Sequence, residues 1–214
     1  MKYLMFYLMV LLVFLTPLEA KKTYQKYYSN WHLNQIYKKV SKKSDVSKKA
    51  LYRSFNFYKK NRYKMKLSKR YLAIADYTKT SDKKRLYIID LKDGKVYQHY
   101  VAHGVRSGAR GGRVWRSSNA LNSHMTPYGF FKVGTKEGIT AKKRYRYLPI
   151  SGLEKSNKKV GLPTRKGGRD VVVHTASYVG SGGRSYGCFA IMPRDRWAVF
   201  SRLKQALLYS YTGR

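Results

Sequence analysis

Residues 171–193, VVVHTASYVGSGGRSYGCFAIMP, constrain the chain more than any other stretch. Val171, Val172 and Val173 are β-branched and suit a pleated, buried strand that ends at His174. Gly180, Gly182 and Gly183 then interrupt any regular element, so the chain must turn before Cys188, its only cysteine. A His at the end of a strand, a flexible loop and a thiol form a nucleophile-and-base layout. His174 can take the thiol proton, and the thiolate is the attacking species. The turn Ser185-Tyr186-Gly187-Cys188 can aim backbone N–H groups at a developing oxyanion, and Gly187 tolerates unusual backbone angles there. Taken singly, a cysteine is most often a small buried apolar group and a histidine a satisfied core or surface residue. Their closeness in sequence does not set their closeness in space.

The remaining pattern favours strands. Tyr71, Leu72, Ala73, Ile74 and Ala75 read as one, residues 85–91 as a second, and residues 95–102 as its return after the Asp93-Gly94 turn. Phe130 to Val133 and residues 207–211 read as two more. Pro193 can open a helix carrying Trp197, Phe200 and Leu203. Upstream, residues 21–66 are rich in Lys and Tyr. Leu33, Ile36, Tyr37 and Val40 recur at helical spacing, and Ser44-Asp45 can cap a second helix through Ala50, Leu51, Phe55 and Tyr58. The expectation is a mixed α+β, β-dominated sandwich or barrel with a helix in its C-terminal half. It would comprise a domain at residues 67–214 preceded by a short basic helical region at residues 21–66.

Charge narrows the partners. Forty-six Lys and Arg against 10 Asp and Glu leave +36, which suits polyanions: nucleic acid, anionic lipid or an acidic envelope polymer. Residues 58–64 interleave bases with aromatics, a pattern read either as nucleic-acid binding or as a solvated helix face. Residues 1–20 read as a cleavable secretory signal, with Lys2, an apolar run from Tyr3 to Leu15, and Ala20 before the cut. That run is short of the ~20 residues a spanning helix needs, so no transmembrane segment is expected after cleavage. The mature protein is expected in the periplasm or cell wall, where one cysteine makes no internal disulfide and a free thiol is a liability unless buried or used. Arg106, Arg110, Arg113 and Arg116 suggest a mobile cationic loop over residues 104–122, either a substrate rim or a solvated loop. His99 and His103 lie four apart near a strand end, with no acid or thiol close in sequence, so no metal is expected.

The stretch around Cys188 resembles the catalytic motif of the L,D-transpeptidase (YkuD-like) family: a His, a loop, then Ser/Thr-x-Gly-Cys. Gly183, Arg184 and Pro193 match the murein L,D-transpeptidase branch. Thr126-Pro127-Tyr128-Gly129-Phe130 is similar to that family's strand entry, and Val101-Ala102-His103-Gly104 supplies a third segment. The resemblance implies a YkuD-like sandwich or barrel with Cys188 as nucleophile and His174 as base. Ser185, Tyr186 and Gly187 would form the catalytic turn, and Arg184, His124, Thr126 and Tyr178 would meet substrate. It implies peptidoglycan tetrapeptide stems as partner, no cofactor, and transfer to an amine or to water. Thr175 and Ala190 depart from the family's common Gly and Arg, and Arg184 is a candidate replacement for the latter. The rival reading is a non-catalytic cationic protein on the same scaffold that binds envelope polymers or nucleic acid; on the enzyme reading no specific nucleic acid is expected.

Overall fold

The computed structural model describes residues 26–140 and 144–213. The segment read as a signal, residues 1–20, lies outside the described residues. Among the described residues two helices come first, α1 (Asn30–Lys43) and α2 (Lys48–Asn61). Ser29 caps α1 by accepting from the His32 N–H, and Ser47 caps α2 by accepting from the Ala50 N–H. The expected cap at Ser44-Asp45 is thus displaced. The Ser44 N–H closes α1 on the Val40 carbonyl, and the Asp45 carboxylate is taken by Lys79 and the Tyr87 hydroxyl.

Among the described residues nine strands follow: β1 (Tyr71–Asp76), β2 (Leu86–Asp90), β3 (Val96–His99), β4 (Gly129–Val133), β5 (Gly138–Ile139), β6 (Arg146–Gly152), β7 (Val172–Thr175), β8 (Phe189–Ile191) and β9 (Leu207–Tyr211). One helix, α3 (Arg196–Leu203), precedes β9 and is entered through a 3₁₀ turn at Pro193–Asp195. The sheet order is β3-β2-β1-β9-β4-β6-β7-β8, with β5 paired to β6. The sheet curls into a nearly closed barrel, a mixed α+β architecture of YkuD-like type. Beyond β3, the Ala102 N–H donates to the Ala190 carbonyl, the Ser185 N–H to the His103 carbonyl, and the Val105 N–H to the Ser185 carbonyl. These bonds draw the sheet's two ends together.

Side chains alternate between two cores. From β1, β2 and β9, Ala73, Ala75, Ile88 and Leu208 point inward to a cluster with Phe131, Val133, Val173 and Phe189, which α3 covers with Val199, Phe200 and Leu203. Leu72, Ile74, Tyr87, Ile89, Leu207 and Tyr209 point outward, where α1 and α2 bury Leu33, Ile36, Val40, Leu51, Phe55 and Tyr58 against them. Both faces of these strands are covered, hence their nearly unbroken apolar runs. The basic helical region and the sheet thus share one core. Trp197, which helical spacing groups with Phe200 and Leu203, is 71% exposed, with the Arg196 guanidinium over its ring.

Candidate active site

Strands β7 and β8 run parallel, with Val173 opposite Phe189 and His174 opposite Ala190. Cys188 immediately precedes β8, two residues before the ladder partner of His174. Cys188 and His174 both open into a cavity of about 750 Å³ whose wall also includes Tyr145, Asp170, Tyr178, Arg184 and Tyr186. The His174 Nδ1 lies 3.0 Å from the Thr175 carbonyl oxygen. A carbonyl only accepts, so Nδ1 carries the proton and Nε2 is the basic nitrogen. Tyr145 stacks on the imidazole with ring centroids 5.3 Å apart.

The turn before the nucleophile is braced by Ser185. Its buried Oγ accepts from the Gly187 N–H at 3.1 Å and donates to the Cys188 carbonyl at 2.7 Å. Gly187 holds φ +111°, and a Cβ there would overlap the Arg169 guanidinium and the Met125 carbonyl. Its N–H, expected to face an oxyanion, is therefore occupied, and what the site requires of Gly187 is its backbone conformation and lack of a side chain. Burial pushes the Cys188 thiol above its ordinary value and the Asp170 carboxylate adds to that, while the Val172 N–H and the Arg169 guanidinium act in the opposite direction.

The structure sorts the expected substrate-binding residues. Tyr178 and Arg184 line the cavity, and Arg184 also donates to the Val105 and Gly108 carbonyls. His124 packs its ring against Tyr186, itself 71% exposed, with centroids 4.8 Å apart. Thr126 is buried off the cavity wall, and its Oγ1 accepts from the Gly104 N–H, a bond that fixes the loop. The Arg-rich loop is a correction, being tied down rather than free. The Ser81 N–H donates to the Gly111 carbonyl, the Thr126 N–H to Ser107 Oγ, and the fully buried Arg85 reaches the Gly112 carbonyl.

His103 faces Arg85 Nη2 across 2.9 Å, and burial first and that guanidinium second push it down to about 4. A neutral, fully buried ring does not serve the cavity as a base. His99 pairs instead with Asp195. Sequence reasoning missed Arg169 and Asp170. Arg169 is buried and donates to the Ser118 and Met125 carbonyls behind Gly187, and exposed Asp170 stands on the cavity wall. The available signal was their position directly ahead of the strand that carries His174.

A profile of the L,D-transpeptidase catalytic domain matches residues 42–211. The chain belongs to that family. No curated protein sequence matches it. Among solved structures, this family member is similar to the helical cell shape determining protein Pgp2 from Campylobacter jejuni, with 15% identity and TM-score 0.43 over 68% of this chain and 48% of that one. It is similar also to L,D-transpeptidases from Xylanimonas cellulosilytica (17%, TM-score 0.37, 66% of this chain and 60% of that one) and Mycobacterium smegmatis (16%, TM-score 0.37, 66% and 58%). The chain thus spans from about half to three-fifths of those proteins' lengths. Among the described residues no helix is long and apolar enough to cross a membrane.

Proposed function

We propose that the protein is an exported L,D-transpeptidase that acts on peptidoglycan tetrapeptide stems through a thioester on Cys188. The supporting observation is the shared cavity: His174 on β7 and Cys188, immediately before the parallel strand β8, both open into it, with the imidazole fixed by the Thr175 carbonyl so that Nε2 is the base. The thiol is pushed up by burial, so it rests protonated and His174 removes the proton as attack occurs. Sγ forms a bond to the carbonyl carbon of the third, diamino-acid residue. The Tyr186 and Cys188 N–H groups hold the oxyanion. The C–N bond to D-alanine breaks, and His174 returns the proton to the leaving amine. An amine from a neighbouring stem then displaces sulfur to give a crosslink, or water does so to give a shortened stem. No residue set in this sequence asks for a cofactor. The signal-like residues 1–20 and the +36 charge support export to an anionic envelope.

The test is intact-mass spectrometry of purified protein with a carbapenem, alongside digestion of tetrapeptide-rich peptidoglycan. The expected result is one stoichiometric adduct on Cys188, with new crosslinked or tripeptide muropeptides, and neither with Cys188→Ala. A folded wild-type protein that forms no adduct and leaves muropeptides unchanged overturns the reading.

A further inference from the structure

Ten carboxylates face 46 Lys and Arg in this sequence; Glu19 lies outside the described residues, leaving nine. Eight of the nine are committed within the fold. Arg and Lys side chains hold Asp45, Asp90 and Glu137; His99 holds Asp195; backbone N–H or hydroxyl groups hold Asp76, Asp82, Asp93 and Glu154. Asp170 is the exception. Among the described residues no hydrogen bond or ion pair holds its carboxylate, although it is exposed in a chain with more than four cations per acid.

Two guanidinium groups close to it are used elsewhere. Arg169, its neighbour in sequence, turns inward to the Ser118 and Met125 carbonyls, and Arg184, on the same cavity wall, turns to the Val105 and Gly108 carbonyls. Among the described residues the one uncommitted acid therefore stands in the cavity that holds Cys188, with its own main-chain carbonyl 3.9 Å from Sγ. For an empty site that placement is adverse, because a carboxylate beside the thiol opposes the thiolate. A cation seated on the carboxylate cancels the opposition, so the placement suits a site that is occupied when the thiol must react.

We propose that Asp170 is the ammonium-binding residue of the Cys188 cavity, pairing with a charged amine of the peptide substrate. The proposal rests on the acyl-transfer reading and deepens it. The ammonium comes either from the side chain of the donor's diamino acid or from the incoming acceptor. Seating it both positions the peptide and favours ionisation of Cys188, so a substrate lacking the charge loses binding and reactivity together. A hydrogen bond between charged groups in a partly enclosed site is strong enough for clear discrimination.

The experiment measures acylation of Cys188 by intact mass over seconds to minutes. The donors are Ala-γ-D-Glu-Lys-D-Ala and the same peptide with the lysine amine acetylated. Wild type should need at least tenfold less of the free-amine donor for half-maximal acylation. Asp170→Asn should bring the two within about twofold, and Asp170→Glu should restore most of the preference. A preformed acyl-enzyme is then resolved with a D-amino acid; a loss in Asp170→Asn confined to this arm places the ammonium on the acceptor. Equal use of both donors by wild type with no Asp170 effect on resolution, or full discrimination by folded Asp170→Asn, overturns the proposal. If neither donor acylates wild type while iodoacetamide labels Cys188, the transfer reading fails by itself. The subsite is then tested on Cys188→Ala protein by titration calorimetry with Nα-acetyl-lysine amide. Binding that weakens at least tenfold on adding Asp170→Asn supports it, and binding unchanged by that substitution, or undetectable, overturns it.

Discussion

Replacing Ser185 with alanine should damage the site although Ser185 performs no chemistry. The hydroxyl accepts from the Gly187 N–H at 3.1 Å and donates to the Cys188 carbonyl at 2.7 Å, at a position only 5% exposed. Ser185→Ala leaves the buried Gly187 N–H without a partner and removes the shorter of two bonds to the Cys188 carbonyl, which keeps the Ala190 N–H. The orphaned donor costs about 1–3 kcal/mol. Domains are stable by about 5–15 kcal/mol, so this is a sizeable share. Even the lower bound lowers Tm by about 2–4 °C for a chain of this length. The turn between Ser185 and Cys188 also loses both its internal ties, so carbapenem acylation of Cys188 should fall at least tenfold at temperatures where the variant is folded. Ser185→Thr keeps the hydroxyl and should recover most of both losses. Thermal melts by circular dichroism and time-resolved intact mass provide the two readouts. A Ser185→Ala protein with unchanged Tm and acylation rate would refute the bracing role.

Gly187→Ala should cost about 1–3 kcal/mol for the backbone at φ +111°, and about as much again for driving a methyl group into Arg169 and the Met125 carbonyl; urea denaturation at a midpoint equal to wild type would contradict this. The pH dependence of Cys188 alkylation by iodoacetamide follows the thiolate. Removing the nearby cation in Arg169→Gln should move the midpoint to higher pH, removing the nearby anion in Asp170→Asn should move it lower, and movement in the same direction would sink the electrostatic account. A chain reduced to residues 67–214 should not melt cooperatively. It loses Leu33, Ile36, Val40, Leu51, Phe55 and Tyr58, six buried side chains worth about 1.5–3 kcal/mol each, or about 9–18 kcal/mol, and a cooperative transition near the full-length Tm would show that the sheet stands alone.

Much of the fold was legible because its strands advertise themselves. The runs at Tyr71 to Ala75 and at 207–211 became β1 and β9, and Asp93-Gly94 did turn the chain between β2 and β3. Strand β6 escaped because Pro149 lies inside it, a residue that ordinarily argues against a sheet interior. Strand β8 escaped because its three residues directly follow a glycine-rich turn. At the site, Cys188 and His174 stand out in the sequence because their chemistry is carried by residue type, and the structure sets both on one cavity wall. A motif does not say which way a hydroxyl points, and that of Thr126 accepts from the Gly104 N–H. Arg169 and Asp170 could be read only as neighbours of the strand that carries His174; their relation to Cys188 depends on the parallel pairing of β7 with β8, which leaves no local trace. The cap of α2 illustrates a milder ambiguity. Two serines and one aspartate separate the helix from α1, and only the tertiary partners of Asp45 decide among them.

Strand β9 is the last of the nine to be synthesised, yet it sits between β1 and β4, parallel to the first and antiparallel to the second. Until residues 207–211 leave the ribosome, β1–β3 and β4–β8 form two sheet fragments, each with a bare inner edge of unpaired N–H and C=O groups. Such edges recruit other strands, so this interval is when the nascent chain most needs a chaperone. A stop codon in place of Leu207 should therefore do more harm than loss of a peripheral strand such as β5: it leaves the barrel unable to join, and the product should be found in aggregates or with the cell's proteases.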